Sequence, residues 1–422
     1  MSLLGSLNAA VGGMNAQSAF IGNISDNIAN SQTVGFKETD TKFVDYLTES
    51  SPSTHSPGAV VARPQYTNST QGAVTQVSNP TSLAISGQGF FAVQRPTGNG
   101  TVSPQPYFTR AGNFAPNSLG QLVNSTGYIL DGWKASTTPT GTAYDSSKLQ
   151  PIVINKGPSL PVPTSQVTLA ANLPASSTAT FPSTIQAFDA AGGSQNIALQ
   201  WSPVTGTPGA WNLSVNGTDM ATAQFGTGPV GTSPATGGNG HAAGSLVSIT
   251  GTGGGATATG TTLSTKLNFG LGEQDVNLNL SGMTQFAASD YQVSSLSQDG
   301  SAQGNYSSVS IGASGDVSIN YDNGTNTIIA KVPLVNFNDP NALQQQDGQA
   351  FTATLDSGLP DALASGVGGA GKLIVGAEEA SNVDIAAQFT QMIVAQRAYT
   401  ANTKVISTTN TLLQDTLDMV RG

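Results

Sequence analysis

The side chains that most often carry out chemistry are few in this chain, and their spacing does not suit it. Two histidines, His55 and His241, sit in Pro- or Gly-rich stretches with no Cys, Asp or Glu at ligand spacing, and read as loop residues. There is no cysteine, hence no thiolate nucleophile and no disulfide framework. Glu378-Glu379 is the one adjacent acidic pair, placed where negative charge suits the start of a helix. Asp189, Asp290, Asp316 and Asp322 are scattered and read as turn or surface groups. A glycosidase-like pair of acids brought together by folding stays open, because such a pair need not be close in sequence. Gly87-Gln88-Gly89-Phe90-Phe91-Ala92 fits G-x-G-x-x-A, but the phosphate-binding form needs a helix after the glycines, and Phe-Phe-Ala-Val reads as strand. Gly226, Gly228 and Gly231 match by composition, with Pro229 among them, and no Lys follows Gly253-Gly254-Gly255. No cofactor, metal or catalytic residue is expected.

The interest therefore moves to what the chain can build. Its 422 residues allow two or three domains. Only 9% are charged and the net charge is −10, which argues against nucleic acid and anionic membranes as partners. Glycine is frequent (50 residues), and Ser, Thr, Asn and Gln stand where Lys and Glu usually do. Such a chain suits a β-rich protein outside cells or in an assembly. No apolar run approaches the roughly 20 residues of a membrane span. No Lys or Arg precedes Lys37, so the charged start of a secretory signal peptide is missing.

Two amphipathic helices bracket the chain. In the last forty residues, Ile385, Met392, Tyr399, Ile406, Leu413 and Val420 recur every seven positions, with Phe389 beside the first of them. Ala398, Val405, Leu412 and Met419 form a second register, and Asn402, Thr409 and Thr416 lie between. Seven threonines make this a weak helix that needs a partner. Residues 3 to 30 supply one: Leu3, Leu7, Ala10, Met14, Ile21, Ile24 and Ile28 recur at three and four, interrupted by Gly5, Gly12, Gly13 and Gly22. Uncharged polar faces (Asn8, Asn15, Gln17, Asn23; Gln388, Gln391, Gln396) imply further partners beyond the pair. Asn30 and Gly35 should end the first helix, and Ser381 with Asp384 should open the last as a capping box.

Asn27-Ile28-Ala29-Asn30, then Thr33 and Gly35-Phe36-Lys37, resembles the N-terminal signature of bacterial flagellar rod and hook proteins. Ser381-Asn382-Val383-Asp384 followed by Met392-Ile393-Val394-Ala395-Gln396-Arg397-Ala398-Tyr399 resembles their C-terminal signature. The resemblance covers roughly 1–50, 83–135 and 304–420.

Between the helices, residues 31–80 carry Pro52, Pro57, Pro64 and Pro80 and read as an extended connector with short strands. Segments 81–155 and 301–382 resemble the two halves of the β-domain of hook-type proteins, which implies a first β-domain split between them. A second β-domain, of antiparallel strands such as Trp211-Leu213-Val215 closed by Asn216-Gly217, is inserted at 156–300. Within it, the Gly- and Thr-rich 226–262 reads as loops or a flexible excursion. The expected fold is thus mainly β with α-helical termini paired as a coiled coil.

The resemblance implies a structural subunit, not an enzyme. It would polymerise into the helical tube of the flagellar hook, a flexible joint passing torque from rod to filament. It also implies partners: other copies of the chain, the distal rod, hook cap and hook–filament junction proteins, and the flagellar type III export apparatus. The location would be extracellular. Packing residues would be Leu3, Leu7, Met14, Ile21, Asn27, Ile28, Asn30, Gly35 and Phe36, with Phe389, Met392, Tyr399, Ile406, Leu413 and Val420. A distal rod protein is the near alternative. An extracellular adhesin or glycan-binding protein is the alternative of a different class, and an enzyme acting on glycans is the third.

Overall fold

Helix and strand follow the two periodicities of the sequence in a computed structural model that describes residues 3–50, 55–98, 101–135, 148–226 and 243–421. The chain forms two compact units. The first comprises residues 1–156, 308–319 and 326–422, and the second residues 157–307 and 320–325.

The first unit holds both terminal helices, α1 (Leu3–Ala29) and α2 (Ile385–Arg421). Asn30 donates its backbone N–H to the Asp26 carbonyl as α1 closes, and Gly35 turns the chain at φ +70°. A Cβ at Gly35 would lie 2.4 Å from the Ala111 nitrogen, so both conformation and space require glycine there. The start of α2 differs from the capping box expected of Ser381 and Asp384. Asp384 alone caps the helix, its Oδ1 accepting from the N–H groups of Ala386 and Ala387, while Ser381 Oγ accepts from Val383 N–H before the helix begins.

Residues 31–80 are not a mere connector with short strands. They contain a twelve-residue-per-strand antiparallel hairpin, β1 (Thr39–Ser50) and β2 (His55–Tyr66), which lies against α1. Gly12 touches it, with Ala59 Cβ 3.3 Å from where a Cβ would sit, and Phe20 meets Phe43 edge-on at 5.5 Å. The prolines did not prevent pairing because an edge strand tolerates a missing N–H. His55 accordingly starts a strand rather than sitting in a loop, and His241 lies outside the described residues.

The rest of the first unit is β. Strands run side by side in the order Asn326–Lys331, Ile129–Lys134, Phe91–Gly98, Thr101–Thr109, Ala350–Thr352 and Gln344–Gln346. Phe90, Phe108, Trp133, Val335 and Phe351 pack beneath them. Gly89 leads into the strand Phe91–Gly98, so the G-x-G-x-x-A stretch carries no helix. Short strands tie the two halves of the chain together: Leu83–Ser86 with Lys372–Val375, and Val74–Gln76 with Ala377–Glu379.

The second unit is two five-stranded sheets sharing one core, in which Trp201, Trp211, Leu213, Phe225, Leu263 and Leu278 are fully buried. Alternation of buried and open residues along Gln166–Asn172 and Ser194–Pro203 reflects the period of two. Asn216 (φ +49°) and Gly217 (φ +81°) make the tight turn expected there. Two details depart from the sequence reading. Gln166–Asn172 pairs parallel with Glu273–Asn279, so the strands are not all antiparallel. The described part of 226–262 contains strands Leu246–Gly251 and Thr257–Thr259 rather than loops alone. Threonine and isoleucine fit a pleated surface well enough to outweigh the glycines.

Candidate functional site: a charged clasp beneath a polar helix seam

Where the terminal helices meet the β-structure, three charged side chains are buried together. Glu379 is completely inaccessible. Its Oε1 lies 2.5 Å from Lys37 Nζ and also accepts the Gly72 N–H at 2.9 Å. Its Oε2 accepts from Arg110 Nη1 at 3.1 Å. Lys37 donates further to the Thr70 carbonyl at 2.6 Å, and Arg110 Nη2 to the Gly87 carbonyl at 2.9 Å. The Arg110 guanidinium stacks over Phe90, 5.1 Å from the ring centre. Glu379 also engages through its backbone, its carbonyl accepting the Gly35 N–H at 2.7 Å.

Burial draws Lys37 below the usual lysine range, opposed by the attraction of Glu379, and does the same to Arg110. A buried carboxylate with two cationic partners and a backbone donor is satisfied at both oxygens. Removing it would strand two cations out of water. The arrangement is a fastening. It joins the turn after α1, the strand end at Arg110 and the strand leading into α2.

From the clasp a line of hydrogen bonds climbs between the helices. Glu38 N–H donates to Asn382 Oδ1 at 2.8 Å. Gln388 Nε2 donates to Glu38 Oε1 at 2.7 Å, and Asn27 Nδ2 donates to Gln388 Oε1 at 3.1 Å. Asn27 also exchanges two 3.0 Å bonds with the Thr39 backbone, and Asn23 Nδ2 donates to Thr41 Oγ1 at 2.7 Å. Burial, then repulsion from Asp40, raises the Glu38 carboxyl above its usual range.

Farther along, Asn402 packs against Gly13 so closely that a Cβ there would lie 2.8 Å from Asn402 Nδ2. Contacts at Asn27–Gln388 and Gly13–Asn402 make the helices antiparallel. Among the described side chains of α2, those buried are Gln388, Ala395 and Thr409. With half-buried Asn402 they form a seven-residue repeat. The inner seam is therefore this small and polar line, not the apolar one expected through Ile385, Met392, Tyr399, Ile406 and Leu413. Met392 and Ile406 are half-buried at its flank, while Ile385, Phe389, Tyr399 and Leu413 are exposed. The reason lies in α1, whose glycines let the backbones approach too closely for large side chains to stand between them. On α1, Ile24 and Asn27 are buried and Leu7, Met14, Ile21 and Ile28 are half-buried, as is Asn30 just past its end. Gly35 and Phe36 are buried beside the clasp. The side chains of Leu3 and Val420 lie outside the described residues.

Sequence reasoning missed the clasp. In the sequence Glu379 reads as a helix-dipole residue, and nothing marks Arg110. The available signal was an Arg and a Lys set among Gly, Ala and Phe in a chain with only 14 basic residues.

Four family models match, in chain order: Flagella basal body rod protein over 7–37, Flagellar hook protein FlgE/F/G D1 domain over 84–173, Flagellar basal body protein FlaE D2 domain over 154–301, and Flagellar basal body rod FlgEFG protein C-terminal over 374–419. The flagellar hook protein FlgE of Brucella suis is 35% identical, with all of both chains covered. The chain belongs to the flagellar hook protein family. Flagellar hook protein FlgE of Rhizobium meliloti is 31% identical with all of both chains covered, and that of Salmonella typhimurium is 28% identical over 98% of this chain and 100% of its own. The solved Helicobacter pylori flagellar hook protein FlgE2 gives a TM-score of 0.47 at 13% identity, over 71% of this chain and 98% of that one. Within this hook-family chain, Lys37, Arg110 and Glu379 each fall in a different matched region, so one ion cluster links three of them.

Proposed function

We infer that the chain is a structural subunit of the bacterial flagellar hook, polymerising outside the cell into a tube that bends while passing torque. Kinship over the full length with flagellar hook proteins carries this reading. Every relative named above is a hook protein, which favours hook over distal rod, and none is named an adhesin or an enzyme. The exposed apolar residues of α2 support it from the side of structure. Phe389, Ile393, Val394, Val405, Leu412, Leu417 and Met419 are exposed, where a lone subunit would carry charge. These residues, with Leu7, Met14, Ile21 and Tyr399, are proposed to pack against other copies. Asn27, Gly35 and Phe36 hold each subunit together from within. Distal rod, hook cap and hook–filament junction proteins are the proposed neighbours at the tube's ends, and the type III apparatus the proposed route out.

The division of labour follows. The terminal helices and clasp hold the wall, and residues 156–300 offer an outer surface with few charge pairs that can slide between neighbours. Electron microscopy of cells expressing the full chain, against cells expressing a chain lacking 383–422, tests the reading. Hooks are expected only from the full chain. Soluble monomers from both, with binding of a glycan or turnover of one, would overturn it.

A further inference from the structure

The exposed side of α2 is not uniform. Two places after each member of the inner line Gln388, Ala395, Asn402, Thr409 and Thr416 stand Thr390, Arg397, Lys404, Thr411 and Asp418. Two residues turn an α-helix by roughly 200°, so this column lies across the helix from the inner line. All five of its residues are exposed. Apolar side chains border it on both sides. Phe389 and Leu417 come one place after the inner line, and Val405, Leu412 and Met419 three places after it, all exposed.

The charges in the column are segregated. Arg397 and Lys404 are positive, Thr411 is neutral and Asp418 is negative, with exposed Asp415 just under one turn before it. Among the described residues, none of these four charged groups has an ion-pair partner within its own chain.

A parallel neighbour must slide along α2 until this column agrees with its own copy. With no slide, each charge meets its like. A slide of seven residues sets Arg397 beside Lys404. A slide of fourteen sets Lys404 beside Asp418 and brings Asp415 level with Ala401, between the two cations. It also keeps the seven-residue apolar repeat in step. A slide of twenty-one sets Arg397 beside Asp418 but carries Lys404 past the end of α2.

We propose that α2 of one copy stands parallel to α2 of a second copy, displaced by fourteen residues, with Lys404 of one paired to Asp418 of the other. At 1.5 Å per residue the displacement is about 21 Å. The contact joins unlike stretches of the two helices, so it repeats from copy to copy. The apolar repeat fits at every slide of seven, and the charges select one of them. The proposal rests on the hook-subunit reading, in which all copies point one way, and adds a register to it.

Charge reversal tests the register. Lys404→Asp sets an acid against Asp415 and Asp418 of the neighbour, and Asp418→Lys sets a second cation against Lys404. Each should lower the number of hooks per cell, counted by electron microscopy, at least tenfold. The isolated subunits should keep their circular dichroism, because both side chains are exposed. The two substitutions together should restore at least half of the original number. In hooks of the unaltered chain, a carbodiimide, which joins amines to carboxylates in contact, should give covalent multimers whose junction peptide links Lys404 to Asp418 or Asp415. Normal hook numbers from either single variant, a double variant as poor as the singles, or junctions that leave Lys404 out would overturn the register. Absence of hooks even from the unaltered chain would sink the hook reading instead.

Discussion

Glu379 shows how one residue can hold distant parts of a chain together. Replacing it with Gln keeps the shape but leaves Lys37 and Arg110 as buried cations sharing a neutral partner. Breaking a buried ion pair in this way costs about 3–5 kcal/mol. The urea midpoint of the first unit should fall accordingly, and Lys37→Met added to Glu379→Gln should restore part of it. An unchanged midpoint for Glu379→Gln would show that the clasp contributes nothing. Asp131 gives a second test. It is buried in the strand Ile129–Lys134, its Oδ1 has no partner, and burial pushes its carboxyl up to about 7. The folded chain thus holds a proton that the unfolded chain releases near the ordinary value of 3.8. Stability should therefore fall as pH rises between those values, by at most about 1.4 kcal/mol per unit. Asp131→Asn should flatten that slope and raise stability at pH 8. A slope unchanged by the substitution would mean that Asp131 is not its source.

Helices of this kind are governed by their glycines. Gly22 is exposed with nothing near the place a Cβ would take, so Gly22→Ala should stabilise the isolated subunit by up to about 1 kcal/mol. Gly35→Ala should do the reverse, by at least about 1 kcal/mol, because φ is positive and the Ala111 backbone fills the space. Thermal midpoints of the two variants should move in opposite directions. Both helices were legible in the sequence from their periodicity, and so was the end of the first at Asn30, whereas the last starts at Asp384 and not at the expected Ser381 cap. Which face of α2 turned inward was not. Apolar residues at seven-residue spacing normally mark a seam, but that rule assumes a partner with ordinary side chains. Gly13 and Asn27 on α1 favour small and polar partners, and that choice depends on two segments more than 350 residues apart. The hairpin of residues 39–66 was lost for a related reason: prolines read as breaks, although an edge strand accommodates them. The clasp was illegible because its three members come from three separate segments.

At the scale of the molecule, the chain runs out from α1 through the first unit to the two-sheet unit and back to α2. Nothing in the described part of α1 or α2 belongs to the second unit. Replacing residues 156–300 with a short linker should therefore leave hooks able to form but change their curvature or stiffness under electron microscopy. If hooks vanished as completely as on loss of 383–422, the proposed separation of wall from outer surface would be wrong. The family and both architectures of strand and helix could be read ahead of the structure, since terminal signatures and alternation are local. The arrangement of strands, including the parallel pair, could not, because register is set by partners far away in sequence.

A bent tube must have a longer outer arc than inner arc, and a rotating bent tube must exchange the two on every turn. The antiparallel pair α1–α2 is pinned at Asn27–Gln388 and at Gly13–Asn402, two points the same number of residues apart on each helix. Sliding one helix along the other would break the first and jam the second. Each helix pair is thus of fixed length, like a link in a watch strap. The stretching and shortening must then be absorbed outside these pairs, and none of it by sliding within them.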